Sequence, residues 1–228
     1  MRAHEGTLSG RLSADSTGDK LLRVGAEVFA ERGFQAATVR EICARAGANV
    51  AAVNYHFGDK LGLYTEVLRA ALLAADPEVI GAAADRGAEP EELLRLIIRT
   101  RVYALLGTDR ATSLMIHELS RPTPALARVV DETIRPMYDR LRAIVAAILG
   151  SPPDDDDTRL CTHSIVGQIV HYAVARPVVA LLWPQLKMTP EQVDRIADHI
   201  ADFSLAYLHA FKSARGRAAS SGLEWRRT

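Results

Sequence analysis

The chain has 228 residues, 48% of them apolar, and 28 Lys or Arg balance 28 Asp or Glu for a formal net charge of zero. That length suits one large or two small domains, and the balance excludes a uniformly basic, chromatin-type protein while leaving room for a local basic patch. Aromatic residues make up 6%, which is thin for an all-β sandwich. Cys43 and Cys161 are far apart and lie in apolar stretches, so a disulfide framework is excluded and a reducing compartment is expected. No run reaches the roughly 18 apolar residues of a membrane span. The first twenty residues lack an apolar core of the secretory type, so a cytoplasmic protein without membrane attachment is expected.

Residues 1–15 are small, polar and unpatterned and read as a flexible arm. From Ser16 onward the apolar spacing is helical and strand signals are absent, so the fold class is all-α. Ser16 with Asp19 opens a first helix, carrying Leu21, Leu22, Ala26, Val28 and Phe29, and Gly33 is expected to close it as a left-handed cap. Thr38 with Glu41 forms a second capping signal, opening a two-turn helix that stops at Gly47. Asn49 caps another two-turn helix, and Asp59 caps a longer one over 60–74.

Residues 76–89, rich in Ala, Gly, Asp and Glu, read as a linker or loop. Helices follow over 91–106 and 109–119, then a long one from Thr123–Pro124 to about Leu149. Pro136 lies inside it, so a kink or break is expected near Arg135. SPPDDDD at 151–157 is a solvated loop. A helix over 157–176 continues or restarts after Pro177 to about Trp183. Thr189, Pro190 and Gln192 open a last helix to about Lys212. The remainder, 213–228, reads as a flexible basic tail.

The segment from Thr38 to Lys60 carries the chemistry. Two short helices joined through Ala46, Gly47 and Ala48 have the spacing of a helix-turn-helix. One face of the second is small and polar, with Asn49, Ala51, Ala52, Asn54, Tyr55 and His56. Small residues let a backbone approach base edges, Asn can hydrogen-bond adenine, and Ala can touch a thymine methyl. Val50, Val53 and Phe57 are expected to point inward. Lys60 opens the next helix, where its ammonium and free amides suit a phosphate. Thr38, Arg40 and Ala48 complete the candidate DNA-contacting set. A three-helix packing motif with no DNA role would have the same spacing. Bulk charge does not choose between them: residues 1–75 hold nine Lys or Arg and eight Asp or Glu, a net of +1.

The stretch from Gly25 to Leu68 resembles the DNA-binding domain of the TetR family of bacterial transcriptional regulators. The resemblance covers residues 17–70 and rests on Phe-Ala-Glu-Arg-Gly-Phe at 29–34, Thr-Val-Arg-Glu-Ile at 38–42, Ala46–Gly47, and Tyr-His-Phe-Gly-Asp-Lys at 55–60. Asn54 stands where the family often carries Tyr. HELSRPTPAL (117–126), IRPMYDRL (134–141) and the Gly167, Gln168, His171, Tyr172 run are similar to the CecR-type C-terminal domain of one branch. The resemblance implies a ligand-responsive, repressor-like switch that binds palindromic double-stranded operator DNA as a homodimer. It also implies a domain plan: a helix-turn-helix DNA-binding domain at 16–75 and a helical effector-binding and dimerisation domain at 76–212.

Within 157–183, Leu160, Cys161, Ile165, Val166, Ile169, Val170, Ala173 and Val174 leave almost no polar face, so that helix must be covered on both sides. An ordinary buried core helix and half of an intersubunit bundle with the last helix both satisfy this. The resemblance favours dimerisation through the last two helices. Polar residues in apolar surroundings, His117, Arg121, Tyr138, Arg142, Gln168 and His171, are the candidate lining for an unidentified small-molecule effector. Metal ligation is not expected: Cys161-x-His163 lacks paired zinc spacings and DDDD lacks the rest of a calcium loop. No cofactor is implied. The competing reading is a helical small-molecule-binding module or enzyme without DNA binding. No phosphate loop, nucleophile elbow or HExxH supports catalysis.

Overall fold

The computed structural model describes residues 16–73, 77–106 and 109–221, and every regular element among them is helical. Helix α1 (Thr17–Ala36) starts at a complete capping box, with Ser16 and Asp19 each satisfying the other's backbone amide. Gly33 breaks it rather than closing it. Its φ of 71° and ψ of 170° lie outside the left-handed helical region, and a further turn runs on to Ala36. Helices α2 (Val39–Ala46) and α3 (Val50–Phe57) are joined at Gly47, which is left-handed at φ 64° and ψ 33°. A side chain would be strained there. Helix α4 is Lys60–Leu73, and its first turn passes so close to α3 that a β-carbon at Gly62 would collide with the Phe57 carbonyl.

Residues 77–85, expected as loop, form α5 (Pro77–Asp85). The Ala-rich composition favours helix, and Ile80 and Ala83 give it a buried edge. Next come α6 (Pro90–Leu106), α7 (Asp109–Ser120) and α8 (Ala125–Val129). A π-helical turn over Val130–Ile134 then leads into α9 (Arg135–Leu149). The break expected near Arg135 takes this form. Pro136 has no N–H for the ordinary bond, and the Arg135 N–H reaches back to the Val130 carbonyl. Helix α10 (Asp156–Val174) is followed by α11 (Arg176–Leu182), bent 77° from it. The last helix, α12 (Pro190–Ser221), runs past Lys212 and makes 213–221 helical where a flexible tail was expected. Arg215 bonds Asp155 at 3.0 Å, tying that extension to the start of α10. The arm at 1–15 and the tail beyond 221 lie outside the described residues.

Two cores form. The larger gathers Leu94, Ile98, Val145, Ile148, Ile165, Ile200 and Leu208 from α6, α9, α10 and α12. The smaller gathers Leu21, Val28, Phe29, Ile42, Val53, Leu63 and Tyr64 from α1–α4, and also Leu114, Ala125 and Val129 from α7 and α8. Packing therefore crosses the 75/76 boundary drawn from sequence. Among the described residues no single helix is long and apolar enough to cross a membrane. Together α10 and α11 have the length and composition, but their bend divides them.

Candidate nucleic-acid interface

Helix α3 is short, capped and held from behind. The Asn49 Oδ1 accepts the Ala52 N–H at 2.9 Å, satisfying one amide of the first turn. Val53 is fully buried and Phe57 packs on the smaller core beside it. Asn49, Ala51, Asn54, Tyr55 and His56 all lie exposed, as the sequence pattern predicted. Tyr55 is 85% exposed, and its ring meets His56 edge-on with centroids 5.0 Å apart. An aromatic side chain left this bare has a hydroxyl free to reach a partner outside the fold.

Some expected roles change. Val50 is 49% exposed rather than inward; it is the first helical residue and projects beyond the core that Val53 and Phe57 reach. Ala48 and Ala52 are half-buried against the smaller core. Asn49 is engaged in capping. Thr38 accepts the Glu41 N–H at 3.2 Å, but the reciprocal half of that capping box is missing. The Glu41 carboxylate turns instead to Arg45 at 2.8 Å and Arg32 at 3.0 Å, because two guanidiniums outcompete one amide. Arg40 is exposed beside Thr38. Lys60 folds back: its Nζ lies 4.5 Å from the Phe34 ring centroid and donates to the Gln35 carbonyl at 3.4 Å. Partial burial there holds its pKa below the usual lysine range.

The head is tied to the second domain by polar contacts that the sequence did not reveal. The buried Tyr64 hydroxyl on α4 donates to the Glu118 carboxylate on α7 at 2.8 Å. Glu118 is 3% exposed and also accepts the Thr123 N–H at 2.8 Å and its hydroxyl at 3.0 Å. Burial, then the neighbouring carboxylate, pushes the Tyr64 phenol far above its ordinary range. His117 Nε2 lies 3.2 Å from the Ala30 carbonyl of α1, and Arg69 of α4 pairs with Glu132 of the π turn. An acidic residue inside the apolar run 114–119 was the available signal for Glu118. Its partner 54 positions earlier had no local signature.

The six candidate effector residues do not share one cavity. His117 and Arg121 line a cavity of about 240 Å3 at the domain joint, with Arg32, Phe34, Gln35 and Tyr64. Tyr138 packs on His163 at a ring tilt of 36°, centroids 5.1 Å apart. Arg142 pairs with Asp154 at 2.6 Å and Asp139 at 3.1 Å on the outside of α9. Gln168 reaches Ser204 at 3.4 Å across a groove between α10 and α12, and His171 is exposed. Helical periodicity placed polar residues in apolar segments but not which neighbour each would face. No cluster of three or more His, Cys, Asp or Glu positioned for a metal occurs among the described residues.

The α10–α12 groove, about 440 Å3, carries an open apolar face. Leu160 is 64%, Phe203 60% and Tyr207 53% exposed, and a β-carbon at Gly167 would meet open space. Side chains of this kind on adjacent helices make a contiguous uncovered patch.

A bare, capped helix, held by a left-handed turn on the core of α1–α4 and coupled to a larger helical domain, has the arrangement of a DNA-binding transcriptional regulator. Residues 21–67 match the family described as bacterial regulatory proteins, tetR family. Residues 90–208 match the C-terminal domain of the HTH-type transcriptional dual regulator CecR. The chain belongs to the TetR family, in the branch with a CecR-type C-terminal domain. The dual regulator CecR of Shigella flexneri is 30% identical over 176 residues, covering 71% of this chain and 78% of that one. The activator FasR of Mycolicibacterium smegmatis is 42% identical over 59 residues, covering 26% of this chain and 27% of that one. In fold the chain is similar to the fatty acid degradation regulator FadR of Bacillus halodurans, with TM-score 0.65, 14% identity, and coverage of 85% and 96%. It is also similar to the Bacillus subtilis FadR solved with stearoyl-CoA, with TM-score 0.62, 17% identity, and coverage of 82% and 96%.

Proposed function

We propose that this regulator is a ligand-responsive repressor, working in the cytoplasm, that binds a palindromic operator as a homodimer through α10 and α12. The carrying observation is the outward face of α3, where Val50, Ala51, Asn54 and Tyr55 lie exposed while Val53 anchors the helix from behind. Ala51 and Val50 suit thymine methyls, and Asn54 suits the adenine edge. Tyr55, Thr38, Arg40 and His56 flank that face and suit phosphates, which position the helix without reading sequence. Lys60 joins them once it leaves Phe34. Asn49 acts by capping, and Ala48 and Ala52 by keeping the approach slim.

Two heads joined by one interface must fit two half-sites at once. A small change in head spacing then removes much of the affinity. The effector is a small molecule that binds the released spacing better than the DNA-bound one, because only differential affinity shifts the balance. His117 and Arg121, beside the joint, sit where a ligand would bear directly on α1 and α4. The remaining candidates, Tyr138, Arg142, Gln168 and His171, bear on the α9–α12 body. The second domain acts as a sensor rather than an enzyme.

Fluorescence anisotropy with labelled duplexes tests the proposal. Tight binding that weakens steeply as salt rises is the expected result. Binding no tighter than that of a Tyr55→Ala, Asn54→Ala double variant would count against it.

A further inference from the structure

The ammonium that the DNA reading assigns to a phosphate is already engaged within the head. Lys60 Nζ lies 4.5 Å from the Phe34 ring centroid and donates to the Gln35 carbonyl at 3.4 Å. Both acceptors belong to the turn beyond the Gly33 break, which carries Phe34 and Gln35 off the path of α1. Phe34 is itself braced. Its ring contacts Tyr64 at 4.9 Å, and Tyr64 ends on the buried carboxylate of Glu118. His117, the neighbour of Glu118 on α7, packs against Gly33. A continuous set of contacts thus runs from α7 through Glu118, Tyr64 and Phe34 to Lys60.

We propose that Phe34 and the Gln35 carbonyl form an autoinhibitory dock for Lys60, and that α7 sets the dock's position through Glu118 and Tyr64. The proposal rests on the DNA-binding reading above. Of the three N–H groups of the ammonium, the Phe34 face and the Gln35 carbonyl engage two, so a phosphate clamp that needs more than the third competes with the dock. The docked state therefore lowers apparent affinity in proportion to the fraction of molecules in it. A cation–π contact that is only partly buried accounts for a roughly two- to fivefold effect. An effector that moves α7 would strengthen or loosen the dock without touching DNA. Phe34 is then a positioning residue for Lys60.

Nuclear magnetic resonance of the full chain with isotope-labelled lysine reads the dock directly, and a duplex of selected operator sequence supplies the competing phosphate. In the free protein the Lys60 ε-methylene protons should be shifted upfield by the Phe34 ring, and the duplex should return them to ordinary values. Phe34→Leu should abolish the shift and tighten duplex binding roughly two- to fivefold, whereas Phe34→Tyr keeps both near native. In a Lys60→Met background Phe34→Leu should leave affinity unchanged. Glu118→Gln should reduce the upfield shift; an unchanged shift would remove α7 from the account. An ordinary Lys60 resonance in the free protein would overturn the dock. So would a resonance unmoved by a duplex that binds, or equal tightening by Phe34→Leu with Met at 60. If the native protein bound no duplex at all, the DNA reading would fall, and the dock's regulatory role with it, even with Lys60 seen on Phe34.

Discussion

The Tyr64 hydroxyl and the Glu118 carboxylate meet at 2.8 Å across the joint between the DNA-binding head and the second domain. Each is buried, so each depends on the other in a way that surface groups do not. A buried hydrogen bond to a charged group contributes about 1.5–3 kcal/mol. Tyr64→Phe should lower unfolding free energy by roughly that amount in urea titration, with Thr123 left as the remaining donor to Glu118. The raised phenol pKa gives the same contact a pH signature. The protonated phenol is favoured in the folded state, so its stabilisation is complete below the ordinary tyrosine value of about 10. It is lost as pH rises above that value. Tyr64→Phe should therefore flatten the alkaline limb of the stability curve, and an unaltered limb would contradict the assignment.

The π turn should tolerate loss of its orphan hydroxyl. Thr133 is 3% exposed and its Oγ1 has no hydrogen-bond partner among the described residues. Removing an unsatisfied buried group while keeping shape is neutral or favourable. Thr133→Val should leave stability unchanged or raise it by up to about 1 kcal/mol, measured by thermal unfolding. A clear loss would mean that the hydroxyl has a partner.

The face of α10 and α12 should fail when charged. Phe203 and Leu160 are largely exposed on adjacent helices. Phe203→Glu should shift the sedimentation profile from dimer toward monomer at micromolar concentration and weaken operator binding with it. A dimer that survived both Phe203→Glu and Leu160→Glu would place the interface elsewhere.

Contacts on α3 should separate into two kinds. Tyr55→Phe should weaken binding to all duplexes while leaving the salt dependence unchanged, because a neutral hydroxyl on a phosphate displaces no counterion, whereas Asn54→Ala should relax preference at one base position by about 1–3 kcal/mol. Asn49→Ala should act differently from both. It removes the cap of α3, so about 1 kcal/mol of stability should be lost along with affinity for every sequence. Competition binding against single-base variants distinguishes these patterns.

Most helix boundaries were legible because their signals are local. Ser16 with Asp19, Asn49 before α3, and Gly47 at φ 64° are each satisfied within a few residues. The break before Pro136 followed from one missing N–H. Helix α5 is not evident in the sequence because Gly81 and scattered acids hide an Ala-rich helix with Ile80 and Ala83 on its buried edge. The extension of α12 was missed because Arg215 finds its partner Asp155 60 positions away. The outward face of α3 was readable from composition, but Val50 was not, since its exposure depends on where the core ends. The dispersal of Tyr138, Arg142, Gln168 and His171 was beyond reach for the same reason. Polarity within an apolar helix marks a contact, and only the neighbouring helix decides which one.

Selection of bound sequences from random duplex DNA, with the purified protein at low ionic strength, reads operator recognition, symmetry and half-site spacing in one assay. An enriched palindrome is expected, with half-sites about one helical turn, or a comparable groove repeat, apart. Its enrichment should be lost with Asn54→Ala, Tyr55→Ala. A pool that stays random through successive rounds would contradict operator recognition.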